Sequence, residues 1–330
     1  MSLRPVGITG IGSAVPERVL TNQELERMVE TSDEWIRTRT GIRERRIAAP
    51  DEASSDYAIR AARKAMAQAG VTPDQVDLII CATVTPDMPF PATAVLVQDA
   101  IGAHRAAAFD LSAACPGWVY GVVMAQQSIA TGLYNCALVI GVELLSKVVN
   151  WKDRSTCVLF GDAAGAAVLQ PVAQGRGILA SVLGSEGAGA CHLHIPAGGS
   201  RMPTSAETVA RGLHYVQMNG PEVFKFAVRV MNEATLQVTE KAGFTVDDID
   251  LLVPHQANTR IIDSAVKRLA IPTERVVVNL DRYGNTSSAS IPVALAEALE
   301  QGRLHDGDRV VCVSFGAGLV WGALALRWGR

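Results

Sequence analysis

No uncharged apolar run in this sequence approaches the ~20 residues of a membrane-spanning helix, so no membrane contact is expected. The opening stretch, MSLRPVGITGIG, lacks the long apolar core of a secretory signal. None of the six cysteines, at 81, 115, 136, 157, 191 and 312, forms a C-x-x-C pair, which argues against a zinc or dithiol redox motif. Several lie in apolar strand-like runs, Cys81 in DLIICAT and Cys312 in RVVCVSF, as expected of reduced thiols in a cytoplasmic protein. Charged residues make up only 19% of the chain and the net charge is −3, whereas a dedicated nucleic-acid binder is usually basic. Aromatics are scarce at 5% against 48% hydrophobic residues. Small aliphatics dominate, as in buried sheet layered with helices. The 330 residues suffice for two domains or one large layered unit, and the 29 glycines point to tight turns and close backbone approaches.

The rest of the chain is organised around FDLSAACPGWVYGVVMAQQSIATG, residues 109–132. It reads as a strand end, a turn and a helix of roughly four turns. Cys115 falls at the junction, and Pro116 suits the first helical position, where its missing N–H has no partner to lose. Val119, Val122, Val123, Ala125, Ile129 and Ala130 make the helix apolar on most faces, hence buried. A thiol at a helix N-terminus meets unpaired N–H groups and the positive end of the dipole, and both favour thiolate. The alternative is a small core hydrophobe, the usual fate of cysteine.

Taken in order, the first strand is expected at residues 6–11, and Thr21-Asn22 caps a helix with Glu24 in its first turn. TSDEWIRTRTGIRERRIA carries five arginines around Trp35. It reads either as a solvated hairpin or as the mouth of a site for an anionic ligand, with Trp35 as a stacking plate. Residues 55–69 form an amphipathic helix, residues 136–142 a buried strand, and residues 156–169 a strand–turn–strand hairpin around Gly161-Asp162. AGVTPDQVDLIICAT at 69–83 then recurs as AGFTVDDIDLLVPHQ at 242–256, an offset of 173. The helix ending at Gly132 recurs as one ending at Gly302, an offset of 170, and each is followed by a strand. Two matches in order, offset by about half the chain, argue for a duplicated α/β unit. The halves are expected at 1–172 and 173–330, and the second-half counterpart of the Cys115 junction at about Asn285. His255 matches the strand end at Ala82. Catalytic groups in α/β sheets gather at the carboxyl ends of strands. Cys115, His255 and Asn285 then converge near one pseudo-axis, while Gly316 and Gly318 mark a tight loop between two strands.

SAACPGW, VPHQANTRI, GNTSSASIP and SFGAGLVWG, in this order, resemble β-ketoacyl-acyl carrier protein synthase III of the thiolase-like superfamily. TSDEWIRTRTGIRER and DRSTCVLFGDAAGAA are similar to it too, so the resemblance covers essentially the whole chain. The Cys/His/Asn set separates it from elongating synthases, with Cys/His/His, and from thiolases, with a second catalytic cysteine. The resemblance implies a thiolase-like fold, an α/β sandwich layered α-β-α-β-α from two duplicated halves. It implies a homodimer that takes an acyl group from a short acyl-coenzyme A onto Cys115. Malonyl-acyl carrier protein is then decarboxylated and the two are joined in a Claisen condensation that initiates fatty acid synthesis. Coenzyme A enters as substrate, and no metal or organic cofactor is required.

By the same resemblance, His255 and Asn285 stabilise the enolate, and the backbone N–H groups of Cys115 and Gly316 form an oxyanion hole. Such a donor is typically worth about 10²–10³ in rate. Trp35 and Arg154 would sandwich the coenzyme A adenine, Arg39 would lie near its phosphates, and Asn258 along the pantetheine tunnel. Phe90 would close the acyl pocket across the dimer, and Trp118 would bear on its depth. Lys225, Arg229, Arg260, Lys267 and Arg268 form a candidate docking patch for the acidic carrier protein, or simply a solvated helix face. Pro116 and Trp118 depart from the family's usual Ala and Phe, and Ala164 and Ala317 stand in glycine-rich loops. The alternatives are a condensing enzyme of secondary metabolism, a 3-hydroxy-3-methylglutaryl-coenzyme A synthase-like enzyme, or a non-catalytic partner subunit. The second should carry a glutamate near the cysteine, and none stands out; the third typically loses the nucleophile. His192 and His194 alternate, but no third metal ligand accompanies them.

Overall fold

The apolar runs of this chain carry no polar face, and the fold buries them on both sides. The structure, a computed structural model, describes residues 3–329. Its first half runs β1 (Val6–Ala14), β2 (Val19–Thr21), α1 (Asn22–Leu25), α2 (Asp33–Thr40), β3 (Glu44–Arg46), α3 (Ser54–Ala69), β4 (Leu78–Ala82), α4 (Thr93–Ile101), β5 (Ala107–Leu111), α5 (Gly117–Ala130), β6 (Ala137–Leu144), α6 (Arg154–Cys157) and β7 (Asp162–Pro171). The second half runs β8 (Gly177–Ser185), β9 (Leu193–His194), α7 (Ala206–Ala210), β10 (Gln217–Met218), α8 (Gly220–Ala242), β11 (Leu251–Pro254), α9 (Thr259–Leu269), α10 (Leu280–Tyr283), α11 (Ser290–Glu300), β12 (Arg309–Gly316) and β13 (Val320–Arg327).

One sheet has the order β1-β7-β6-β4-β5 and the other β11-β12-β13-β8. Read as β8-β13-β12-β11, the second repeats the first, with the same antiparallel, antiparallel, parallel pairings. The counterpart of β5 is reduced to a single parallel bridge between Leu252 and Val276. Side chains alternate across each strand. Leu78, Ile80, Val139, Leu251, Val253, Val310 and Cys312 therefore point inward onto α5 and α11, which fill the layer between the sheets. Ile79, Cys81, Leu138 and Ile140 point outward under α3. Leu252, Val311 and Val313 point outward under α8 and α9. The layers are thus α-β-α-β-α, a thiolase-like α/β sandwich. Among the described residues no helix is long and apolar enough to cross a membrane.

Four expectations change. Residues 156–169 are not a hairpin: Asp153 caps the short α6, and Asp162–Pro171 is one strand paired on both edges. Gly161 is there for close approach, since a Cβ would stand 2.2 Å from the Tyr283 carbonyl oxygen. The arginine-rich stretch is a helix and a short strand, α2 ending at Gly41 with φ +83°. Of its arginines, Arg45 is fully buried and donates to the Leu20 and Val158 carbonyls and to Asn22 Oδ1. Pro116 is the N-cap of α5 and Gly117 its first residue. The counterpart of Cys115 is Ser288 rather than Asn285. Each lies two residues before its helix, at 117 and at 290, and each follows a non-glycine residue of positive φ, Ala114 at +47° and Ser287 at +48°.

Candidate active site

β5 stops at Leu111, β11 at Pro254 and β12 at Gly316, and the loops beyond them meet. Cys115 and Asn285 are each 8% exposed and His255 1%. A tunnel of about 810 Å³ runs from Trp35 and Arg39 down to Cys115, His255 and Asn285, with Asn258, Arg260, Phe224, Phe315 and Gly316 along it. Beyond Cys115 lies an apolar chamber of about 260 Å³, with Val84, Leu145, Phe160, Ile195 and Val216 among its walls. Cys115 lines both, so a group bound to its sulfur sits where the tunnel meets the more apolar chamber. A larger open hollow, about 1300 Å³, lies apart from these residues. Its cations are already engaged, Arg60 by Glu52, Arg18 by Glu24 and Lys147 by two carbonyls.

His255 is positioned by its own N–H, which donates to the Val313 carbonyl at 2.8 Å. Its Nδ1 lies 2.7 Å from Ser290 Oγ, and the edge of Phe315 packs on the ring. Burial lowers its pKa to about 3, so the imidazole is neutral near pH 7. If Ser290 donates to Nδ1, the ring proton sits on Nε2 and faces the tunnel. Asn285 is stitched to the 159–161 segment: its N–H donates to the Leu159 carbonyl and its carbonyl accepts from Gly161. Its side-chain oxygen accepts the Ser287 N–H at 2.9 Å, which leaves the NH₂ end to the tunnel. A Cβ on Gly316 would lie 2.9–3.1 Å from three Cys115 atoms, so only glycine lets that backbone approach the nucleophile.

The thiol does not start as thiolate. Burial pushes Cys115 up to about 12, against the pull of a Ser287 hydrogen bond and its own N–H. Desolvation outweighs the helix N-terminus, which alone would favour thiolate. Glu143 of β6, missed in the sequence, lies beside it, fully buried. It accepts from Val84 N–H at 3.1 Å, Thr85 Oγ1 at 2.8 Å and Ser287 Oγ at 3.2 Å, while burial raises it to about 7. Ser288 adjoins the same carboxyl but gives its proton to the Ala82 carbonyl at 2.9 Å. A carboxyl inside the apolar run CALVIGVELL was the clue, because such a group is rarely buried without a task.

At the tunnel mouth the Arg154 guanidinium lies 5.1 Å from the Trp35 ring centre and Arg39 5.7 Å. Asn258 caps α9 through Arg260 N–H and donates to the Arg39 carbonyl, so it ties two walls of the tunnel together. Trp118 is not in the acyl chamber: it is 1% exposed in the layer between the sheets, its Nε1 donating to the Val139 carbonyl. Phe90 is 84% exposed and lines neither cavity of its own chain. Lys225 pairs with Glu222, and Arg229 with Glu186 and Glu233. Arg260 stacks 5.8 Å from Phe224, and Lys267 and Arg268 end α9. His194 lines the chamber, and among the described residues no group of three metal-type ligands assembles.

Residues 109–187 match the model of 3-oxoacyl-[acyl-carrier-protein] synthase III, and residues 239–328 its C-terminal model. The chain is 85% identical over 330 residues to a β-ketoacyl-[acyl-carrier-protein] synthase III of Symbiobacterium thermophilum, covering 100% of both. It is 59% identical to one from Desulfitobacterium hafniense, covering 98% of each. A crystal structure of the Thermus thermophilus synthase III superposes with a TM-score of 0.92 at 53% identity, covering 98% of this chain and 99% of that one.

Proposed function

This chain belongs to the β-ketoacyl-[acyl-carrier-protein] synthase III family, and from that premise we propose how its residues carry out the condensation. It is an acyltransferase that joins an acyl starter to a carrier-bound extender and so initiates fatty acid synthesis. The observation that carries the reading is Cys115 at the meeting point of the tunnel and the chamber, with His255 and Asn285 on the same tunnel.

The Cys115 sulfur attacks the thioester carbonyl of a short acyl-coenzyme A, and the acyl chain enters the chamber while coenzyme A leaves through the tunnel. Trp35 and Arg154 hold the adenine, Arg39 the phosphates and Asn258 the pantetheine arm. Malonyl-acyl carrier protein then presents its arm along the same route. Loss of CO₂ puts negative charge on the thioester oxygen, which takes hydrogen bonds from neutral His255 Nε2–H and from Asn285 Nδ2–H. The carbanion attacks acyl-Cys115, whose oxyanion is held by the N–H groups of Cys115 and Gly316. Neither step asks for a metal or an organic cofactor, since sulfur, fixed donors and CO₂ release supply the chemistry.

The molecule acts as a homodimer. Among the described residues β5 is an edge strand, paired with β4 alone, and Phe109 on it and Phe90 in the loop before α4 are both exposed. The Asp110 carboxylate accepts from Thr93 and Ala94 N–H, tying that loop's end to the same edge. Phe90 closes the partner's chamber, and the basic residues of α8 and α9 receive the acidic carrier. Six free thiols suit a cytoplasmic location. Intact-protein mass spectrometry after incubation with a panel of acyl-coenzyme A thioesters tests the reading. One acyl group on Cys115, absent in Cys115→Ala, is expected; no adduct with any short thioester would sink it.

A further inference from the structure

The mechanism above leaves one group beside the nucleophile without a task. Glu143 sits at the end of an apolar strand with no exposed surface, and hydrogen bonds, not a cation, oppose that burial. The residues facing it are Thr83, Val84 and Thr85 beyond β4, and Ser287 and Ser288 ahead of α11. The titratable groups in its field are two thiols, Cys115 and Cys81, the latter kept neutral by burial. Ser287 donates to Glu143 Oε1 at 3.2 Å and lines the chamber together with Cys115, whose charged form its hydroxyl favours. A hydroxyl can receive a proton from one neighbour while it gives its own to the other. Ser287 thus stands between thiol and carboxyl, and it is held there in a left-handed conformation, φ +48°, that serine seldom adopts.

We propose that Glu143, acting through Ser287, takes the Cys115 proton when the sulfur is acylated and returns it when the sulfur is expelled. The proposal rests on the condensation assigned above. During acylation the S–H proton passes to Ser287 Oγ as the Ser287 proton passes to Glu143 Oε1. The sulfur–acyl bond forms, the acyl–coenzyme A bond breaks, and the departing thiolate takes its proton from solvent. During condensation the carbon–carbon bond forms, the acyl–Sγ bond breaks, and the stored proton runs back to Sγ. The pair holds a single negative charge in the free enzyme and none in the acyl-enzyme. Without the transfer, carboxylate and thiolate would face each other in a dry site.

The pH profile of Cys115 alkylation by iodoacetamide, followed by peptide mass to separate it from exposed Cys191, reads this directly. The wild-type rate is expected to rise about tenfold per pH unit up to about pH 7 and then level off. Above that point thiolate forms only by proton exchange within the pair, which is independent of pH. Glu143→Gln is expected to rise straight through that range. A wild-type profile without a plateau, or a folded Glu143→Gln protein that keeps one, overturns the proposal. In single turnovers, wild-type acyl loading should not change with pH above about 7, whereas loading by Glu143→Gln, where only solvent takes the proton, should rise about tenfold per pH unit. Its pre-acylated form should condense with malonyl-carrier on the order of 10²-fold more slowly. General damage would slow both. Ser287→Ala, which cuts the path and keeps the charge, should retain the plateau and show the same slow condensation; condensation at the wild-type rate would overturn the proposal even if Glu143→Gln failed to fold. The alkylation profile uses no acyl-coenzyme A, so its failure is distinct from a failure of the proposed reaction.

Discussion

In the proposed condensation His255 works as a neutral donor, and one hydroxyl decides whether it can. With its pKa lowered to about 3 by burial, the ring keeps one proton across the neutral range, and the question is which nitrogen holds it. Ser290 Oγ, 2.7 Å from Nδ1, favours the tautomer with the proton on Nε2 when it donates. Ser290→Ala removes that bias and lets Nε2 become an acceptor facing the enolate. Condensation should then fall roughly tenfold or more, the scale of a weakened oxyanion donor. Acyl loading of Cys115 should be unaffected, because it does not use this donor. Single-turnover measurement of the two half-reactions separates them, and an equal loss in both would count against this role for Ser290. Arg45 shows a different use of a polar group. Its guanidinium spends its donors on the Leu20 and Val158 carbonyls and on Asn22, stitching the 19–46 segment to the body of the fold rather than meeting a ligand.

Among the elements, β5 carries the clearest liability. An edge strand with exposed Phe109, 43% accessible, offers unpaired backbone groups and apolar surface together. A second copy pairing there would remove both at once. Phe109→Glu is expected to shift the protein toward monomer in sedimentation velocity and to lower its melting temperature; an unchanged dimer would place the interface elsewhere. The elements themselves were largely legible. Uninterrupted apolar runs such as DLIICAT and CALVIGV identify strands buried on both faces, and the 173-residue offset paired α3–β4 with α8–β11. Residues 156–169 misled because Gly161-Asp162 has the composition of a turn. There the glycine answers to a neighbouring carbonyl, and Asp162 to the N–H groups of Ala48 and Ser146. Cys115, His255 and Asn285 were readable because each stands at a junction. Glu143 and Ser287 were not, because what marks them is a third dimension: a strand end from one half meeting a loop from the other. Trp118 follows the nucleophile closely in sequence, yet the helical turn carries it away from the chamber and into the layer between the sheets.

At the scale of the whole molecule, a chain of net charge −3 that receives an acidic partner must do so through a local field. Two of the five cations of the candidate docking patch, Lys225 and Arg229, are matched by carboxylates, leaving Arg260, Lys267 and Arg268 without an ion-pair partner among the described residues. With those three steering the carrier, its KM should rise several-fold between low and physiological salt, while acyl-coenzyme A loading responds less. A flat carrier KM would dismiss the patch. The chamber behind Cys115 bears on a different economy. Its walls are mostly aliphatic and aromatic, so each methylene that fits is worth roughly 0.8 kcal/mol, about fourfold in preference. A chain too long for 260 Å³ meets packed side chains instead. If the acyl tail occupies this chamber, long starters should be rejected far more sharply than short ones are ranked. Among starters that fit, the mixture of branched and straight tails in the finished lipids should follow the relative abundance of precursors, and so record what the organism was fed.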